Sequence, residues 1–117
     1  MGEKIKTIEM FSGVNGAFAQ AGTLLSDPIE LKNQDLDGVF SLHMISLGGT
    51  ITVTVLVCST ETGTYIAPTT ALAIFTAKAA GSYADEFEPP MFPWMKLLFT
   101  ETNVAAVTSL KAWLNYK

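Results

Sequence analysis

The sequence predicts an all-β protein: an antiparallel β-sandwich, jelly-roll-like, with an irregular N-terminal arm. Three observations carry this. Residues 50–58 alternate strictly, with Ile51, Val53, Val55 and Val57 on one face and Thr52 and Thr54 on the other, the period-2 pattern of a half-buried strand rich in β-branched residues. Pro89, Pro90 and Pro93 exclude helix and central strand locally. Turn signals divide the chain into roughly seven or eight short strands, the spacing typical of a sandwich. The sequence contains no heptads and no repeat of fixed period.

Taken in order, residues 5–11 read as an edge strand. Residues 12–26 are Gly- and Ala-rich without clear period, although they hold Val14, Phe18, Leu24 and Leu25. Two accounts fit this stretch: an arm that packs on a neighbouring molecule, or a loop closing one end of the sandwich. Asp27-Pro28 ends it, so the single domain divides into an arm or edge segment, residues 1–28, and a body, residues 29–117. Residues 38–47 are strand-like, with Phe40, Leu42 and Met44 on one face. Gly48-Gly49 then predicts a tight hairpin into residues 50–58, since both glycines tolerate positive φ. Glu61-Thr62-Gly63 is the next turn, followed by short strands at 64–66 and 72–77. The alanine-rich stretch 70–80 also fits a short helix, but strand and loop fit its surroundings better. Gly81-Ser82 reads as a turn into an acidic loop carrying Asp85, Glu86 and Glu88. Residues 94–101 and 106–116 alternate again and read as two antiparallel strands joined around 102–105.

Composition narrows the function. Across 117 residues only 15% are charged and 49% are hydrophobic, against about 25% charged in an ordinary soluble domain. A small domain has a large surface for its volume and needs polar cover, so part of this surface is expected to lie against another molecule. The net charge is −4. Every basic residue is a lysine, scattered along the chain, so bidentate arginine contacts to phosphate or guanine are absent and direct nucleic-acid binding is not expected. No apolar run approaches the ~18 residues of a membrane span, and the N-terminal residues lack the apolar core of a secretory signal; no membrane contact is expected.

The inventory of reactive groups is short. His43 is the only histidine and Cys58 the only cysteine, so neither a zinc cage nor an internal disulfide can form. His43 alternates within a strand and no serine sits in a nucleophile elbow. Cys58 reads as a small strand hydrophobe. Asn33, Asp35, Asp37 and Gly38 match the first half of a calcium loop, but Met44 stands where the closing Glu should be; a turn feeding a strand fits better than a weak cation site. Asp85, Glu86 and Glu88 are close in sequence with nothing to raise one pKa, so they read as solvated carboxylates. Trp94, Trp113 and Tyr65 could form a sugar-stacking platform, though core or subunit contact is the default for such residues. The expectation is a protein that is not an enzyme and uses no cofactor or metal.

Three segments also carry a family resemblance. Ser26-Asp27-Pro28-Ile29-Glu30-Leu31 runs into Phe40-Ser41-Leu42; then comes Val55-Leu56-Val57-Cys58-Ser59-Thr60-Glu61-Thr62-Gly63-Thr64-Tyr65; last are Phe92-Pro93-Trp94-Met95-Lys96-Leu97, Thr100-Glu101-Thr102 and Ala112-Trp113-Leu114. Over roughly residues 26–116 these resemble the small virion structural proteins encoded among the head and tail genes of tailed bacteriophages. The motifs are strand and turn signatures. The resemblance implies a small sandwich serving as a capsid decoration (cement) protein, made in the host bacterial cytoplasm and located on the capsid exterior. Its implied partners are the major capsid protein and itself, as a dimer or trimer. Other roles open at this stage are a neck, tail or fibre component and, from a different class, a carbohydrate-binding module. The acidic balance suits a surface outside the shell, away from packaged phosphate. The residues expected to make contact are Ile5, Ile8, Met10, Phe11 and Phe18 in the N-terminal segment and Met91, Phe92 and Trp94 at the Pro-rich corner. Removing residues 1–20 is expected to leave the sandwich folded.

Overall fold

The structure, a computed structural model, describes residues 5–13, 18–31, 39–102 and 105–116, with only the backbone described at 12 and 13. It is all-β and antiparallel. The strands are β1 (Lys6–Gly13), β2 (Thr23–Leu25), β3 (Ile29–Glu30), β4 (Phe40–Cys58), β5 (Ala73–Phe87), β6 (Trp94–Glu101) and β7 (Ser109–Tyr116).

β4 is the spine. It runs for 19 residues, and β5 pairs along one of its sides. The other side is shared: Ser41–Leu47 pairs with β7, and Ile51–Cys58 pairs with β6. β1 lies beyond β7, and β2 and β3 lie beyond β6. The sheet therefore has two halves joined through β4 and β5. They face each other across one core, where Phe11 of β1 meets Phe99 of β6 edge-on at 5.1 Å.

Side-chain parity shows how one strand serves both halves. Phe40, Leu42, Met44 and Ser46 point inward, and so do Ile51, Val53, Val55 and Val57. A regular strand cannot change from even to odd positions without exposing its core face. The change is made at Gly48 and Gly49, with φ of 79° and 68°. Between the pairs Ser46–Gly81 and Thr50–Ala79, β4 spends Leu47, Gly48 and Gly49 against the single Ala80. That is a bulge, and it bends the strand.

The expected hairpin at Gly48-Gly49 is therefore not formed. A hairpin there would have set Leu42 against Val55 and Met44 against Val53, so alternation is satisfied equally by both arrangements. Glycines at positive φ serve a two-residue turn or a bulge alike. The strands that flank β4 pair with it from 19 or more residues further along the chain, and local alternation does not report them.

Three further expectations change with it. Residues 79–83 are not a turn: β5 passes straight through Gly81, whose φ is 155°. Asp85 and Glu86 consequently lie in a strand, not a loop. β6 and β7 do not pair with each other but run end to end along β4, with residues 102–108 between them. The helical reading of residues 70–80 also falls, because β5 begins at Ala73. Residues 94–101 form β6 as the alternation indicated, while the short strand at 64–66 reduces to one bridge, Ile66 with Val57.

The N-terminal segment is laid on the body through β1, Phe18 and β2. β1 follows β7, Phe18 and Val107 exchange backbone hydrogen bonds of 3.0 and 2.9 Å, and β2 follows β6. Ser26 is buried, and its Oγ accepts the Leu97 N–H at 2.9 Å. Removing residues 1–20 would strip β1 from β7 and uncover Phe99, so this truncation attacks the fold itself.

A buried carboxylate fastens the bend. Glu101 is 2% exposed. Its Oε2 accepts the Thr50 N–H at 2.7 Å and its Oε1 accepts the Ala21 N–H at 3.2 Å. Its own N–H donates to the Gly22 carbonyl at 3.0 Å. One residue thus ties the bulged strand to the chain entering β2. By contrast, the buried Ser46 hydroxyl has no hydrogen-bond partner among the described residues.

Two substitutions test this corner. A Cβ on Gly48 would sit 2.5 Å from the Ala106 carbonyl oxygen, with φ already in the left-handed region. Gly48→Ala is expected to lower unfolding free energy by about 2–4 kcal/mol. Glu101→Ala is expected to cost roughly 2–4 kcal/mol, because two backbone donors lose their acceptor. Urea denaturation measures both, and a loss under half a kcal/mol in either would remove that residue from the account of the bend.

Candidate docking surface

The two halves turn outer faces of different character to solvent. On the β1–β7 side, the outward residues of β4 are Ser41, His43 and Ile45, flanked by Trp113 and Asn115 of β7 and by Thr7 and Glu9 of β1. Two pairs among these groups meet side chain to side chain. The His43 and Trp113 rings lie 4.9 Å apart, and the Thr7 hydroxyl donates to Asn115 Oδ1 at 2.7 Å.

The β6 side is more apolar. Outward positions of β4 are Thr52, Thr54, Leu56 and Cys58, and those of β6 are Trp94, Lys96, Leu98 and Thr100. Cross-strand neighbours form rows: Leu25–Leu98–Thr54, Lys96–Leu56, and Trp94–Cys58. All but the exposed Leu25 are half-buried. Tyr65 covers part of this face, with Lys96 Nζ 4.6 Å from its ring centroid and its hydroxyl donating to the Glu61 carbonyl at 2.8 Å. Ile66 beside it is 59% exposed. The connection from β5 to β6 carries Met91, fully exposed, and Phe92, 38% exposed, immediately before Trp94.

The residues picked out from sequence divide between two places. Ile5 stands exposed just ahead of β1. Ile8, Met10, Phe11 and Phe18 are half-buried and packed against the core, so much of their apolar surface is already used. Met91, Phe92 and Trp94 gather at the entrance to β6. Leu25, Leu56, Leu98 and Ile66 were missed. The clue to Leu56 and Leu98 was present: each occupies an outward position where a polar residue would be expected.

Trp94 and Trp113 project from the outer faces of different halves, so they do not share a sugar-stacking platform. Asn33, Asp35 and Asp37, the partial calcium loop, lie outside the described residues. Among the described residues, no group of three or more His, Cys, Asp and Glu side chains is placed to hold a metal ion.

Cys58 ends β4 at the mouth of the 59–63 turn, and its thiol is held below the ordinary range. The main cause is the Thr60 backbone N–H directed at Sγ; burial opposes it, and the Thr60 hydroxyl, 3.7 Å from Sγ, and the N–H groups of Ser59 and Gly63 add to the lowering. The adjacent Tyr65 hydroxyl is pushed up, first by burial and then by the negative charge of Cys58 and Glu61.

No known family model matches this chain, and no curated protein matches it. Among solved structures, a chain from the structure of infectious bursal disease virus Gx strain is similar over 96% of this chain, with a TM-score of 0.44 and 12% identity. The match spans 31% of that longer chain.

The lowered thiol gives a pH test. Alkylation of Cys58 by iodoacetamide should reach half-maximal rate below the pH of an unperturbed cysteine, near 8.5. Thr60→Val should move the midpoint part of the way back up. A midpoint at or above that of a free thiol would show that the turn does not stabilise the thiolate.

Proposed function

We propose that this chain is a structural virion protein of the capsid decoration type, which binds and stabilises a shell of major capsid protein. The observation that carries the reading is the apolar outer face of β6 and β4, continued by Ile66, Met91 and Phe92. Such a surface on a small, charge-poor body is costly in water and fits burial against a protein partner. The strand and turn resemblance to tailed-phage virion proteins supports the same role, as does the acidic balance, which suits the outside of the shell. Self-association as a dimer or trimer belongs to the proposal, because copies on a lattice can share this face with each other as well as with the shell.

Chemistry is not required of such a protein; adhesion is. Met91 and Phe92 present large side chains from a connection stiffened by Pro89, Pro90 and Pro93, so little conformational entropy is lost when they dock. Leu25, Leu98 and Leu56 supply the flatter surround that excludes water from the contact.

Mixing the purified protein with undecorated shells tests the reading. The protein should bind at high copy across the shell lattice, as seen by sedimentation and by electron microscopy. A Met91→Asp/Phe92→Asp variant should lose at least about tenfold in affinity while keeping its melting temperature. Failure of the native protein to bind shells, or its location at a single vertex or on the tail, would overturn the decoration role.

A further inference from the structure

β5 pairs only with β4, so along its other side alternate backbone N–H and C=O groups have no strand partner among the described residues. Open edges invite another chain, and proteins commonly blunt them with bulges, proline or lysine. Most of this edge is blunted. Between Ala73 and Ala80 the register with β4 breaks repeatedly and Ala77 has φ of 49°. β1, at the opposite border, carries a bulge between Glu9 and Phe11. From Gly81 to Phe87, however, the register with β4 is unbroken, and the stretch contains no proline and no lysine.

That stretch carries carboxylates. Asp85 and Glu86 are exposed, and exposed Glu88 follows directly. None of them pairs with a lysine among the described residues; the nearby Lys78 holds its Nζ 5.6 Å from the Tyr83 ring centroid. The Glu86 N–H donates to Asp85 Oδ1 at 2.8 Å, a side-chain bond of the kind that stands in for a strand partner.

We propose that the outer edge of β5 from Gly81 to Phe87 is a strand acceptor for an extended, lysine- or arginine-bearing segment of a partner protein. Strand addition supplies main-chain hydrogen bonds, and the flanking side chains select the sequence. One face of an added strand lies beside Tyr83 and Phe87 at the rim of the core, with Asp85 between them, which favours apolar residues at its ends. The other lies beside Ala84, Glu86 and the following Glu88, which favours cations. The occupant is therefore a segment alternating apolar with basic residues. A second copy of this edge is the wrong partner: antiparallel pairing about Ala84 would gather Asp85, Glu86 and Glu88 of both copies on one short ladder. This edge is separate from the apolar face that carries the decoration reading and stands whether or not that reading holds.

A short blocked peptide alternating valine with lysine is the probe, and one alternating glycine with lysine matches its charge without its strand preference. The valine–lysine peptide should bind the full-length protein at least about tenfold more tightly and slow hydrogen exchange within residues 81–87. Asp85→Lys/Glu86→Lys should weaken that binding at least about tenfold with the melting temperature unchanged, and the milder Glu86→Gln should weaken it in the same direction. Equal binding of the two peptides would reduce the effect to bulk charge and overturn the proposal. So would protection appearing elsewhere, indifference to both variants, or a homodimer that protects 81–87 without peptide.

Discussion

The two halves of this protein can share a core only because β4 changes which side chains it turns inward. A strand that alternates faithfully can line one wall of a sandwich, but at a corner its core residues would swing out to solvent. Gly48 and Gly49 absorb that change in backbone conformations that a side chain would oppose, and the Ala106 carbonyl and Val107 occupy the space a Cβ would need. At the same level β5 runs on through Gly81, which lies beneath the Tyr83 ring. Glu101 then fixes the bend by joining β4 to the segment that leads into β2. The core, the strand order and the separation of the two outer faces all follow from this corner.

Separation of the faces is what gives the molecule direction. The β1–β7 face is the more polar one and holds the Thr7–Asn115 bond and the His43–Trp113 contact. The β6 face presents Leu25, Leu56 and Leu98 among threonines, with Met91 and Phe92 projecting at one end. A body with one polar face and one apolar face is suited to lying on a surface. The third exposed feature, the acidic edge of β5, is at right angles to this logic: it offers backbone as well as side chains and so suits an extended chain more than a flat one.

Much of the local structure was legible from residues alone. Strict alternation located β6 and both halves of β4, and the outward leucines at 56 and 98 were visible within it. What misled was punctuation. Gly48-Gly49 and Gly81-Ser82 look like turns because glycine permits several sharp backbone states, and a bulge uses the same freedom as a hairpin. Asp85 and Glu86 look like a loop because charge is common in loops, yet the end of an edge strand is equally wet. Glu101 gave no signal, since a glutamate in an alternating strand is ordinary until its carboxylate is seen buried against two backbone N–H groups.

By itself the sequence determined that the chain is all-β and antiparallel, which face of its clearest strands turns inward, and that few of its residues are charged, because side-chain period and composition are properties of short windows. Only the tertiary structure decided that β4 is one bent strand, that β6 and β7 follow each other along it, and which side chains share a face. Those are matters of which distant segments win a backbone edge, and that competition is settled by burial and hydrogen bonding across the whole molecule, beyond the reach of any local pattern.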